Sequence, residues 1–165
     1  MNQFINFFWS IICFAPVVTY WVKQFDTGWF MASLALSAAF LFIPSKTLQL
    51  SNRPKFYESI GIKFIRRFVQ NGEYANRSAR IKNPHYKLIK NRTHAVSYKQ
   101  TIAMYERFHV LCFSFFIITT LLAIVNHRQG LAAIIIIANI IYNICPLLLQ
   151  QYNKARILKI NKSII

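Results

Sequence analysis

Tyr105-Glu106-Arg107-Phe108-His109 runs without a break into VLCFSFFIITTLLAIV, Val110–Val125. An apolar run of this kind with no charge in it is a candidate membrane helix. At its mouth a carboxylate and an imidazole stand three residues apart, which places them on one helix face. Ionisable groups at such an entrance are expensive unless they are paired or used. The whole chain has only 4 Asp and Glu residues, so Glu106 is conspicuous.

Working outward, three more apolar runs appear: Phe4–Val22, Trp29–Ile43 and Leu131–Leu149. Hydrophobic residues make up 55% of the chain and charged ones 15%, against roughly 25% charged in a soluble domain. An ordinary soluble fold is therefore excluded. The reading is an all-α membrane protein of one domain, residues 1–165. Its four transmembrane helices would cover 4–22, 29–43, 109–125 and 131–149. They form two hairpins, turned at Lys23–Gly28 and at Asn126–Gly130. Trp9, Tyr20 and Trp21 suit interfacial anchors, and Pro16 should kink the first helix. The first run has no basic residues ahead of it and reads as a retained span rather than a leader.

Charge is unevenly spread. Lys and Arg number 20, giving a formal charge of +16, concentrated in the loop 45–105 and the tail 150–165. In a soluble protein this would suggest nucleic acid. Beside membrane helices it instead places loop, tail and both termini on the cytoplasmic side of the cell membrane. Anionic headgroups or an anionic cosubstrate would gather there; no nucleic-acid partner is expected. Within the loop, Pro54 to Gln70 reads as a helix stopped by Asn71-Gly72. Phe56, Ile60, Phe64 and Phe68 recur every fourth residue beside Lys63, Arg66 and Arg67, as in an amphipathic helix lying on a membrane. Asn83-Pro84 marks a turn. From about Thr93 a helix should run through Glu106 into the third span. Cys13, Cys112 and Cys145 sit in apolar runs without metal-site spacing. His85 and His94 read as solvated loop residues.

The last two spans make antiparallel neighbours. A hairpin centred on Gln129 pairs positions whose numbers sum to about 258. His109 then lies level with Leu149 and Gln150, and Glu106 with Tyr152. On a regular helix Asn139, Asn143, Gln150 and Asn153 fall within an arc of roughly 80°. Amides in hydrocarbon seek partners, so this stripe either glues helices or leads to a site. Two classes follow: a membrane enzyme, or a non-catalytic subunit whose basic loop binds anionic lipid or a partner protein. A cavity joining Glu106, His109 and Asn143 favours the enzyme. A closed bundle with Glu106 bonded to Arg156 favours the subunit. A metal site built on Glu-x-x-His needs a second such pair, which the chain lacks, so no metal is expected.

Glu106-x-x-His109, an apolar hairpin, and then Asn143-Ile144-Cys145-Pro146-Leu147-Leu148-Leu149-Gln150-Gln151-Tyr152-Asn153-Lys154-Ala155-Arg156 resemble a known family. It is the glycosyl-diaponeurosporenoate acyltransferase family of staphyloxanthin biosynthesis. Its signature is close to Asn-x-Tyr-Pro-x-x-x-Gln-Arg-Tyr-Asn-Arg-x-Arg. Ile43-Pro44 and Phe56-Tyr57-Glu58 resemble its loop. The chain departs from the signature at Cys145, Gln151 and Lys154. The resemblance implies transfer of a fatty acyl group from acyl-CoA to a hydroxyl of a glycosylated carotenoid or another membrane glycolipid, with no resident cofactor. It implies His109 as general base, with Glu106 orienting its ring as a triad carboxylate does. Asn139, Asn143, Gln150, Tyr152 and Asn153 would bind the acceptor head or the developing oxyanion. Lys154, Arg156, Arg66 and Arg67 would hold the donor phosphates. Membrane lipids are the expected surroundings, and a homo-oligomer is compatible with the sequence.

Overall fold

Apolar runs become helices because hydrocarbon offers no partner to a free backbone N–H or C=O. The computed structural model describes residues 2–69, 77, 81, 83 and 92–162, and every regular element among them is helical. Helix α1 spans Asn2–Lys23 and α2 spans Thr27–Ala39, the latter lengthened by a 3-10 turn, Phe40–Phe42. Short helices α3 (Ser45–Leu48), α4 (Pro54–Ser59) and α5 (Ile62–Ile65) follow. Helix α6 runs Arg92–Val125 and α7 Gln129–Asn139; a π-helical turn, Ile140–Ile144, joins α7 to α8, Cys145–Lys162. Three stretches are long and apolar enough to cross a membrane: Gln3–Lys23, Tyr98–Val125 and Gln129–Leu158. Thr27–Phe42 is a shorter apolar helix. The expected stop at Asn71-Gly72, Pro84 and His85 lie outside the described residues, as does the side chain of His94.

The turn between α6 and α7 fixes the register of everything beyond it. His127 adopts φ 55°, the left-handed conformation that ends many helices. Arg128 N–H bonds the Ala123 carbonyl at 2.8 Å and His127 N–H the Ile124 carbonyl at 3.0 Å, the paired bonds of a Schellman stop. Gln129 therefore opens α7 instead of sitting at the hairpin's centre. Facing positions sum to about 254, not 258, with both helices rising equally. His109 faces the π turn rather than Leu149 and Gln150.

The first two helices do not pair as the hairpin reading expected. α1 packs mainly on α7 and α2 on α6; they meet near their turn, where Trp21 and Phe30 stack edge to face at 5.0 Å. The reason lies in α2. Ser33 and Ser37 are buried, and each bonds the carbonyl four residues back, leaving a small-residue face suited to close helix contact. Ser114 of α6 reaches the Ser37 carbonyl across this contact at 3.5 Å. Tyr20 and Trp21, expected as interfacial anchors, belong to the core with Phe116, Ile135 and Tyr142. Trp21 Nε1 donates to Thr119 Oγ1 at 3.2 Å and Asn126 Nδ2 to Tyr20 Oη at 2.9 Å, so each polar tip is satisfied inside the bundle.

The expected amphipathic helix from Pro54 is broken. Ile60 ends α4, and Gly61 turns left-handed at φ 86° before α5 begins, a conformation glycine adopts at no steric cost. Phe56, Ile60, Phe64 and Phe68 all remain exposed. Tyr57 and Ile62 are fully buried and pack with Leu149, Tyr152 and Ala155 of α8. This part of the loop is thus docked on the bundle by its second face.

Pro146 explains the π turn. Its ring cannot donate to the carbonyl of Tyr142 and would clash with it in regular α geometry. The chain widens instead, with Cys145 N–H bonding Ile140 O five residues back. One extra residue rotates everything beyond it by roughly 100°. The four-amide stripe is therefore split: Asn139 and Asn143 turn into the bundle, while Gln150 and Asn153 line a cavity.

Candidate active site

Beside α6 and α8 lies a cavity of about 960 Å³. His109, Gln150, Asn153 and Arg156 line one side, and Arg66 sits at its loop end. The opposing wall comes from α1, through Ile5, Asn6, Trp9 and Ser10, and from Phe64 and Phe68 of the loop. Trp9 closes the rim by donating Nε1–H to the Phe68 carbonyl at 3.2 Å. Most of this lining is apolar, with a few polar groups set into it, the usual make-up of a site for an amphipathic ligand.

His109 reaches the cavity from α6, one turn inside the bundle from Glu106. Its Nδ1 lies 3.4 Å from Asn143 Oδ1. Asn143 Nδ2 donates to Asn139 Oδ1 at 2.8 Å, and Asn139 Nδ2 to the Phe113 carbonyl at 3.2 Å. Tyr142 stacks on His109 with ring centroids 5.7 Å apart, and its hydroxyl shares a 2.8 Å hydrogen bond with Ser10.

Glu106 is not the partner of that ring. Its side chain, in a residue 1% exposed, is ion-paired with Lys154 Nζ at 3.2 Å and accepts from Ser45 Oγ. Lys154 also donates to Ser45 Oγ at 2.8 Å. The acid expected to orient the imidazole instead ties α6, α8 and the turn after Pro44 together. The anticipated alternative, a bond to Arg156, is not the one formed either: Arg156 lies over the Tyr152 ring, 5.4 Å from its centroid.

The other expected site residues divide by burial. Asn139 and Asn143, 2% and 0% exposed, are not on the cavity surface, so they touch no ligand there. Tyr152 is 4% exposed and donates to Glu58 Oε1 at 3.1 Å. Lys154 belongs to the Glu106 pair. Arg67 is exposed and outside the lining. Glu58 pairs with Lys63 at 3.0 Å, and that bond, then the one from Tyr152, holds its carboxyl below the usual range.

Several contributors escaped the sequence reading. Trp9, Ser10 and Tyr142 line the cavity; the only signal for them was a hydroxyl or indole inside an apolar run. Gln151, noted as a departure from the signature, is buried and donates to the Leu48 carbonyl at 2.6 Å while accepting from Tyr57 Oη at 3.2 Å. It anchors the loop to α8.

Residues 40–163 match the family model described as glycosyl-4,4'-diaponeurosporenoate acyltransferase. No curated protein and no solved structure matched the chain. The matched segment contains His109, Gln150, Asn153, Arg156 and Arg66, while the α1 wall precedes it.

Proposed function

Because the chain belongs to the glycosyl-4,4'-diaponeurosporenoate acyltransferase family, we propose that it moves a fatty acyl group from acyl-CoA to a hydroxyl of a glycosylated carotenoid or another membrane glycolipid. The observation that carries this reading is one cavity in which a histidine, three amides and two arginines meet apolar walls. Its volume suits a lipid chain with part of a head group, since small-molecule sites run from about 300 to 1,000 Å³.

His109 is the general base, the one imidazole among the described lining residues. The acceptor hydroxyl gives its proton to the ring as its oxygen attacks the thioester carbonyl. The tetrahedral oxyanion accepts hydrogen bonds from the amides of Gln150 and Asn153, where preorganised donors act most strongly. The C–S bond then breaks, and the departing sulfur takes the proton back from His109. Arg66 and Arg156 hold the donor phosphates, since guanidinium pairs well with phosphate oxygens. By the positive-inside rule this end of the bundle faces the cytoplasm, where acyl-CoA is made. Glu106 serves the site at one remove, by holding α6 against α8.

The test is lipid mass spectrometry of cells with and without the protein. An acylated lipid should appear with wild type and be missing with His109→Ala, while that variant inserts and purifies normally. Full activity of His109→Ala would overturn the mechanism. No new acylated lipid with wild type would favour the non-catalytic subunit.

A further inference from the structure

We infer that Asn139 and Asn143 are positioning residues: together they hold His109 as the Nδ1–H tautomer and leave Nε2 as its basic atom. The inference rests on the reading of His109 as general base and supplies the reason that base is set correctly.

Polarity is fixed link by link from an atom with a single role. The Phe113 carbonyl can only accept. The Asn139 group 3.2 Å from it must therefore be the amide NH2, which turns Asn139 Oδ1 toward Asn143. That oxygen accepts at 2.8 Å, so Asn143 must present its own NH2 there. Asn143 Oδ1 is then left facing His109 Nδ1, and the ring has to donate. The group that faces Nδ1 accepts, so the ring's N–H belongs on that nitrogen. The ring also lines the cavity, and its second nitrogen is the one left for substrate.

Burial makes the chain stiff. Both asparagines are almost wholly enclosed, so water cannot substitute for either link. Reversing one amide would place two oxygens face to face, with a buried polar group left unpaired at about 1–3 kcal/mol. The π turn separates Asn139 and Asn143, which meet α6, from Gln150, which lines the cavity. The role matches that of a carboxylate orienting a catalytic imidazole, carried out here by two neutral amides.

The test reads the ring directly. The full chain, labelled with 15N-histidine, is studied in lipid nanodiscs, and His109 is assigned by comparison with His109→Gln. Two-bond 1H–15N correlation at neutral pH should show a protonated Nδ1 and an unprotonated Nε2, the reverse of free histidine's preference. Asn143→Leu should move His109 toward the Nε2–H form and lower kcat by about 100-fold with KM little changed. Asn143→Asp, which keeps an acceptor at the ring, should retain the Nδ1–H form. An Nε2–H ring in wild type, or an unchanged tautomer in a folded Asn143→Leu, would overturn the inference. An Nδ1–H ring together with an active His109→Ala would leave the relay standing and remove the catalytic reading instead.

Discussion

Lys154→Ala tests the Glu106 pairing most sharply. At 3.2 Å, and with an effective dielectric of about 20, the two charges attract by about 5 kcal/mol. Desolvation of both groups offsets much of this, so the pair itself adds little net stability. Removing one member is another matter. The Glu106 side chain is 2% exposed, and without Lys154 it would keep only the Ser45 hydroxyl. Stranding a buried charge in this way destabilises by about 3–5 kcal/mol. For a chain of this size each kcal/mol moves the midpoint by about 2–4 °C, so the melt should fall by roughly 10 °C. The protein carries its own reporter: Cys13 and Cys112 are free and buried, and a thiol-reactive fluorophore lights up as they are exposed. Glu106→Leu combined with Lys154→Met should recover most of the loss, since an apolar pair of similar volume replaces a buried ion pair at small cost. A Lys154→Ala protein that melts within about 1 °C of wild type would refute this account. So would a double variant no better than the single.

Other outcomes follow from the same contacts. Tyr57→Phe removes a hydroxyl that bonds Ser51, Gln49 and Gln151, and should lower stability by about 1–3 kcal/mol in the same melt. Gly61→Ala places a side chain at φ 86° and should cost about 1 kcal/mol, seen also as faster proteolysis between α4 and α5. Glu58 gives a pH signature. Its folded pKa is depressed by Lys63 and then Tyr152, so its contribution is full above the unfolded value, about 4.3, and fades as pH falls through the lower folded value. The melting difference between wild type and Glu58→Gln should be flat from neutral pH downward and shrink only in that acid window.

The long helices were legible because their apolar runs leave no other structure in hydrocarbon. The helix read from about Thr93 through Glu106 is present, α6 being helical from Arg92 onward among the described residues. What lay beyond the sequence was rotation and partner choice. The amide stripe assumes a regular helix; the widened turn before Pro146 redirects Gln150 and Asn153. Gln129 falls inside the expected turn Asn126–Gly130, but His127 takes the left-handed position and Gln129 opens α7. Tyr20 and Trp21 fit a membrane belt by type, and only tertiary packing shows their polar tips meeting Asn126 and Thr119. Glu106 stands out in the sequence as a residue that must be paired or used, and in the fold it is paired with Lys154. Its partner was not predictable from spacing, because Lys154 reaches it through a flexible side chain from a residue well outside the facing level.

The cavity has walls of two origins. His109, its amides and its arginines belong to the segment shared with the acyltransferase family, whereas Ile5, Asn6, Trp9 and Ser10 come from a helix ahead of that match. The wall that holds His109 and the wall that faces it are therefore carried by different pieces of chain. Substitutions at Ile5, Asn6, Trp9 and Ser10 would recut the chamber from one side only, leaving in place the core that α1 builds through Val17, Tyr20 and Trp21.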